Sequence, residues 1–110
     1  MDIADWRSKI DEVDQRLVEL LNERARAARA IGLLKRDTQA PIYEPEREKQ
    51  IFENVKRNNA GPLPDRDLQH VYERIIDVMR KLQREEAEPD AHARSVAGAQ
   101  DTEIDAGLNE

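Results

Sequence analysis

The sequence predicts an all-α chain of three helices, the first long enough to pair with another chain. Three observations carry this. Apolar residues recur at steps of three and four from Ile3 to Leu34, with no proline between them. Two proline-bearing breaks, at 37–45 and 58–62, divide the remainder into two shorter stripes of the same period. Aromatic residues are limited to Trp6, Tyr43, Phe52 and Tyr72, so the core must be aliphatic and thin. A bundle of fewer than about 90 residues buries little area alone, and a core shared by two chains would ease that limit.

The first helix is expected from about Ile3 to Asp37. Its stripe runs through Ile3, Trp6, Ile10, Val13, Leu17, Leu20 and Leu21 and continues through Ala27, Ala28, Ile31 and Leu34. At 1.5 Å per residue it forms a rod of roughly 50 Å, which one short helix cannot cover. A loop follows to Pro45, whose missing N–H suits the first turn of a second helix. That helix is expected to end near Arg57, with Ile51, Phe52 and Val55 facing inward. Asp65 reads as the N-cap of a third helix over about Arg66–Glu86. Its inner stripe is Leu68, Val71, Tyr72, Ile75, Ile76, Met79 and Leu82. After Pro89 the apolar residues Val96, Ile104 and Leu108 are too scattered to define a face. The segment 88–110 therefore reads as a disordered acidic tail behind a single domain, 1–87.

Charge follows the same division. The chain has 18 basic and 24 acidic residues, but two of the basic and eight of the acidic ones lie in 84–110. The remainder is neutral, which argues against nucleic acid, including a helical-hairpin RNA binder. The absence of cysteine excludes disulfides and thiolate metal sites. No stretch approaches a transmembrane length, and the N-terminus lacks a secretory pattern, so a cytoplasmic protein is expected.

Several polar residues fall where a core belongs. Arg24 lies four residues after Leu20 and four before Ala28, and Lys35 lies four after Ile31. The eleven residues between them turn the helix by three turns plus about 20°, so both point the same way roughly 16 Å apart. Glu48 shares the face of Ile51 and Phe52, and Gln83 follows Met79 by four. Burying such groups is costly unless they are paired or bound. Internal ion pairs, Arg24 or Lys35 against Glu48, would satisfy the acid. The cations outnumber it, however, and the excess calls for an external anion. Arg7 lies about 25 Å from Arg24 along the same rod and about 100° around it. It reaches the same ligand only if two first helices pack antiparallel.

The segments DWRSKIDEVDQRLVELLNERARAARAIGLLK, PIYEPEREKQIF and GPLPDRDLQHVYERIIDVMRKLQ resemble the helical chorismate mutases over about residues 5–84. The order and spacing carry the resemblance: R-x16-R-x10-K, then ERE, then the terminal LQ. It implies an intertwined homodimer with shared active sites and conversion of chorismate to prephenate in aromatic amino-acid synthesis, without cofactor or metal. It assigns Arg7 of the partner subunit and Arg24 to the substrate carboxylates. Lys35 and Gln83 fall to the ether oxygen, and Glu48 to the ring hydroxyl. Arg47 would support the carboxylates or order Glu48, and Glu44 falls near the substrate hydroxyl. Met79 stands where several relatives carry a Ser that contacts a carboxylate, a hydrogen bond methionine cannot make.

The implied reaction is an intramolecular Claisen rearrangement, which needs no nucleophile or proton transfer. Its demands are a folded conformer and donors aimed at the charge growing on the ether oxygen. Two other readings use the same residues. One is isochorismate pyruvate lyase, against which the 36–46 loop and Glu48 weigh. The other is a non-catalytic helical dimer or regulatory partner. The tail is also available for docking on another shikimate-pathway enzyme.

Overall fold

In the computed structural model, residues 1–88 are described, and they form three helices: α1 (Ile3–Thr38), α2 (Pro45–Asn58) and α3 (Asp65–Ala87). The tail expected from position 88 lies outside the described residues from 89 onward. No described helix is long and apolar enough to cross a membrane.

Local chemistry explains each boundary. Asp2 caps α1 in a reciprocal box with Asp5: each carboxylate accepts from the other residue's backbone N–H, at 2.9 and 3.1 Å. Gln39 ends the helix in the left-handed region (φ 59°), and the N–H groups of Gln39 and Ala40 both return to the Lys35 carbonyl. Pro45 opens α2 as expected, and Lys56 and Arg57 complement its C-terminal dipole. The following loop is held by Asn59. Its Oδ1 accepts from the Gly61 N–H at 3.0 Å, and its Nδ2 donates to the Leu63 carbonyl at 2.9 Å. Gly61 adopts φ 81°, a conformation that favours glycine.

Asp65 is not the N-cap of α3. Pro64 takes that position, and the Asp65 carboxylate instead accepts from Asn59 Nδ2 at 2.7 Å. The loop side chain competes for the carboxylate and wins, so the helix starts without a side-chain cap.

Packing inside one chain is narrow. α1 lies mainly on α3, and α2 leans on α3. The buried residues are Ala28, Gly32, Ile76 and Met79, and α2 contributes none. Leu68, Tyr72, Ile75 and Leu82 are half-buried, whereas Val71, expected on the inner stripe, is exposed. Ala27, Ile31 and Leu34 are exposed for the same reason: the apolar stripe of α1 is wider than the strip α3 covers. The first 20 residues are all exposed, with Trp6 at 56%, Ile10 at 57% and Leu17 at 48%.

Candidate active site

The site begins where α1 and α3 come closest. Gly32 lies directly against the α3 backbone. A Cβ there would sit 2.7 Å from the Gln83 carbonyl oxygen and 2.9 Å from its Cα. No residue but glycine permits this approach without moving a helix. One turn later the contact becomes chemistry. Lys35 Nζ, on a side chain only 11% exposed, donates to Gln83 Oε1 at 3.0 Å. It also donates to the Ile42 carbonyl at 3.2 Å and meets Glu44 Oε1 at 2.5 Å. An ammonium has three protons, and here three acceptors surround it. Because Gln83 Oε1 accepts from Lys35, its two amide N–H groups remain as donors.

A second polar junction faces this one. Glu48, on the first turn of α2, is held by Arg80 of α3. Nε and Nη2 both donate to Glu48 Oε2, the former at 3.2 Å. Arg80 Nη1 lies 3.6 Å from Asp77 Oδ1, and the guanidinium sits 5.1 Å from the centroid of the Tyr43 ring. The hydrogen bond to Glu48 raises the Arg80 pKa above its ordinary value against the opposing effect of burial. Sequence reasoning missed Arg80. The signal was its spacing: it follows Ile76 by four residues and adjoins Met79, at the edge of the inner stripe.

Between the junctions lies a small cleft of about 60 Å³. Its walls include Arg24, Lys35, Glu44, Arg47, Glu48, Met79 and Gln83, with Arg80 and the apolar Ile42, Ile51 and Ile76. Thus the predicted residues of all three helices meet, apart from Arg7. Arg7 is exposed on the bare half of α1 and lines no part of the cleft.

The ionic arrangement differs from the expected pairing of Arg24 or Lys35 with Glu48. Arg80 takes Glu48, and Glu44 takes Lys35. That neutralises two of the four cationic side chains on the wall. Arg24 and Arg47 have no carboxylate partner among the described residues; Arg47 reaches only Gln50 Oε1, at 3.4 Å. Two positive charges are therefore left in excess, which suits a doubly negative ligand. Arg24, Arg47 and Ile51 also border two open hollows beside the cleft, so the site lacks a wall on that side. Among the described residues no cluster of side chains could hold a metal.

Comparison with known proteins points the same way. The family model for type II chorismate mutase matches residues 6–84. A bifunctional chorismate mutase/prephenate dehydratase of Aquifex aeolicus is 38% identical over 87 residues, covering 76% of this chain and 24% of that protein. The chain therefore spans about a quarter of that bifunctional relative. A chorismate mutase of Methanocaldococcus jannaschii is 36% identical over 55 residues, covering 50% of this chain and 56% of that protein. A solved chorismate mutase structure from Thermus thermophilus superposes with a TM-score of 0.72 at 30% identity. That match covers 74% of this chain and 92% of the solved one.

Proposed function

The chain belongs to the type II chorismate mutase family, and from that premise we propose that it converts chorismate to prephenate, at a site completed by a second copy of itself. The observation that carries this reading is the cleft whose cations exceed its acids by two. Chorismate is a dicarboxylate, and Arg24 and Arg47 are the cleft's cations with no carboxylate partner among the described residues.

The substrate's two carboxylates go to Arg24 and to Arg7 of the second chain, with Arg47 supporting them. Planar guanidinium groups suit this role because two parallel hydrogen bonds fix a carboxylate's orientation as well as its position. Anchoring both ends bends the side chain over the ring, the conformer in which the new C–C bond can form. As the C–O bond breaks, negative charge gathers on the ether oxygen. Lys35 and the free N–H groups of Gln83 meet it there.

Lys35 must give up one acceptor to do so. The Ile42 carbonyl belongs to the backbone and Gln83 is half-buried, whereas the Glu44 side chain is 48% exposed. Glu44 is the group that leaves, turning toward the substrate hydroxyl, whose O–H donates to Glu48. The ion pair thus holds Lys35 in place until the substrate replaces the carboxylate.

Support for the second copy comes from the N-terminal half of α1, whose apolar stripe is exposed among the described residues. An antiparallel partner helix would cover that stripe and bring Arg7 toward the open side of the cleft. The domain under this reading is 1–87, and the setting is cytoplasmic.

The test is direct: prephenate formation from chorismate by the purified chain, with isochorismate offered in parallel. Prephenate from chorismate supports the proposal. Pyruvate released from isochorismate alone makes the chain a lyase, and failure of a chorismate analogue to bind makes it a non-catalytic dimer.

A further inference from the structure

We infer that Arg80 is a positioning residue of this site, acting on the substrate only through Glu48. The inference rests on the proposed function and names a residue that the family resemblance did not assign.

The argument starts from what holds α2. This helix has no buried residue, so apolar packing constrains it weakly. Glu48 lies on its first turn and projects into the cleft. A carboxylate on a loosely packed helix samples several rotamers unless something fixes it. Arg80 supplies that restraint from the firmest part of the chain, beside the buried Ile76 and Met79.

The donor arrangement matters more than the charge. Both Nε and Nη2 converge on a single oxygen, Oε2. A bidentate fork would occupy both carboxylate oxygens. This one leaves Oε1 to accept from a ligand hydroxyl. Asp77 and the Tyr43 ring hold the rest of the guanidinium. Tyr43 adjoins Ile42 and Glu44, the two loop residues that contact Lys35. Arg80 therefore fixes Glu48 to α3, while the loop keeps its own contacts to Lys35 through Ile42 and Glu44. With its charge matched by Glu48, it is not one of the cations available to a substrate carboxylate.

A double-mutant cycle on the full chain decides the matter, using Arg80→Ala, Glu48→Ala and their combination, assayed for kcat and KM with chorismate. Arg80→Ala is expected to lower kcat on the order of tenfold, with a much smaller change in KM. In the Glu48→Ala background the same substitution should cost almost nothing further, because the side chain that Arg80 positions is gone. Arg80→Lys keeps the charge and one donor. It should recover part of kcat and retain the wild-type urea midpoint, which separates positioning from mere folding. Multiplicative losses in the double variant, or a rise in KM alone, would overturn the inference and make Arg80 a direct substrate contact. No recovery of kcat in a stably folded Arg80→Lys would also overturn it. A wild-type chain that leaves chorismate unchanged defeats the proposed function itself, an outcome distinct from an active wild type with additive losses.

Discussion

The two halves of α1 carry the same apolar period but meet different surroundings. From Leu21 to Lys35 the helix rests on α3, with Ala28 and Gly32 buried and Arg24 and Lys35 turned into the cleft. From Ile3 to Leu20 every residue is exposed. The first half includes one of the predicted site residues, Arg7, and the second includes two. One helix thus supplies both a wall of the cleft and an apolar rod that no other described residue buries. Each large apolar side chain on that rod gains ~1.5–3 kcal/mol on full burial, so a row of them is a strong drive to associate. The covered half carries Lys35, held by its neighbours, and Arg24, with no carboxylate partner among the described residues; the bare half carries Arg7, away from the cleft.

The largest effect should come from the covered half. Lys35→Ala removes the donor to the developing charge and should lower kcat by roughly 10²–10³, the usual cost of losing one such donor. Helical content by circular dichroism should not change. Near-normal turnover would refute the assignment and reduce the Lys35 junction to a structural ion pair. Next in size is Gly32→Ala. The new Cβ would lie 2.7 Å from the Gln83 carbonyl oxygen, so α1 and α3 must separate. The expected outcome is a loss of ~1–3 kcal/mol in stability, with kcat down on the order of ten- to a hundredfold. Urea unfolding and steady-state kinetics measure the two. An active, equally stable variant would show that the close approach does not set the Lys35–Gln83 geometry.

A recovery of activity, rather than a loss, tests whether the two halves belong to one site. Arg7→Ala and Arg24→Ala should each be nearly inactive alone. Mixed and allowed to exchange, half of the dimers would be hybrids, each with one of its two sites intact. About a quarter of wild-type activity should return. No recovery, with exchange verified by mass, would break the link between bare half and cleft.

How far the sequence reveals this arrangement depends on the kind of interaction. Arg24 and Lys35 were legible because a helix has a fixed period, and a cation four residues after an apolar neighbour shares its stripe. Glu48 and Gln83 were legible in the same way. Arg80 has the same spacing from Ile76 but was passed over, because its importance depends on α2 crossing above it. Gly32 was visible only as a lone glycine; that α3 rests there is a tertiary fact. Asp65 had the right residue type for an N-cap and lost its place to a contact with Asn59. Periodicity shows which face a residue occupies, but not what lies opposite that face.

The smallest expected effect separates two candidates for covering the bare half: a second copy, or the chain's own last residues. Cutting after Glu88 removes the 89–110 segment and keeps all of α3, including Glu86, whose Oε1 lies 2.6 Å from Arg29 Nε. The removed sequence has Val96, Ile104 and Leu108 as its large apolar residues. They cannot match a stripe that runs through Ile3, Trp6, Ile10, Val13, Leu17 and Leu20, and their acidic neighbours would bring carboxylates onto an apolar surface. A second α1 carries the same period as the stripe and matches it along its length. Turnover, urea midpoint and molecular mass by light scattering should therefore all survive the cut, apart from the mass removed. If the shortened chain aggregates or loses activity, the tail itself covers the stripe. The case for a second copy would then have to rest on Arg7 alone.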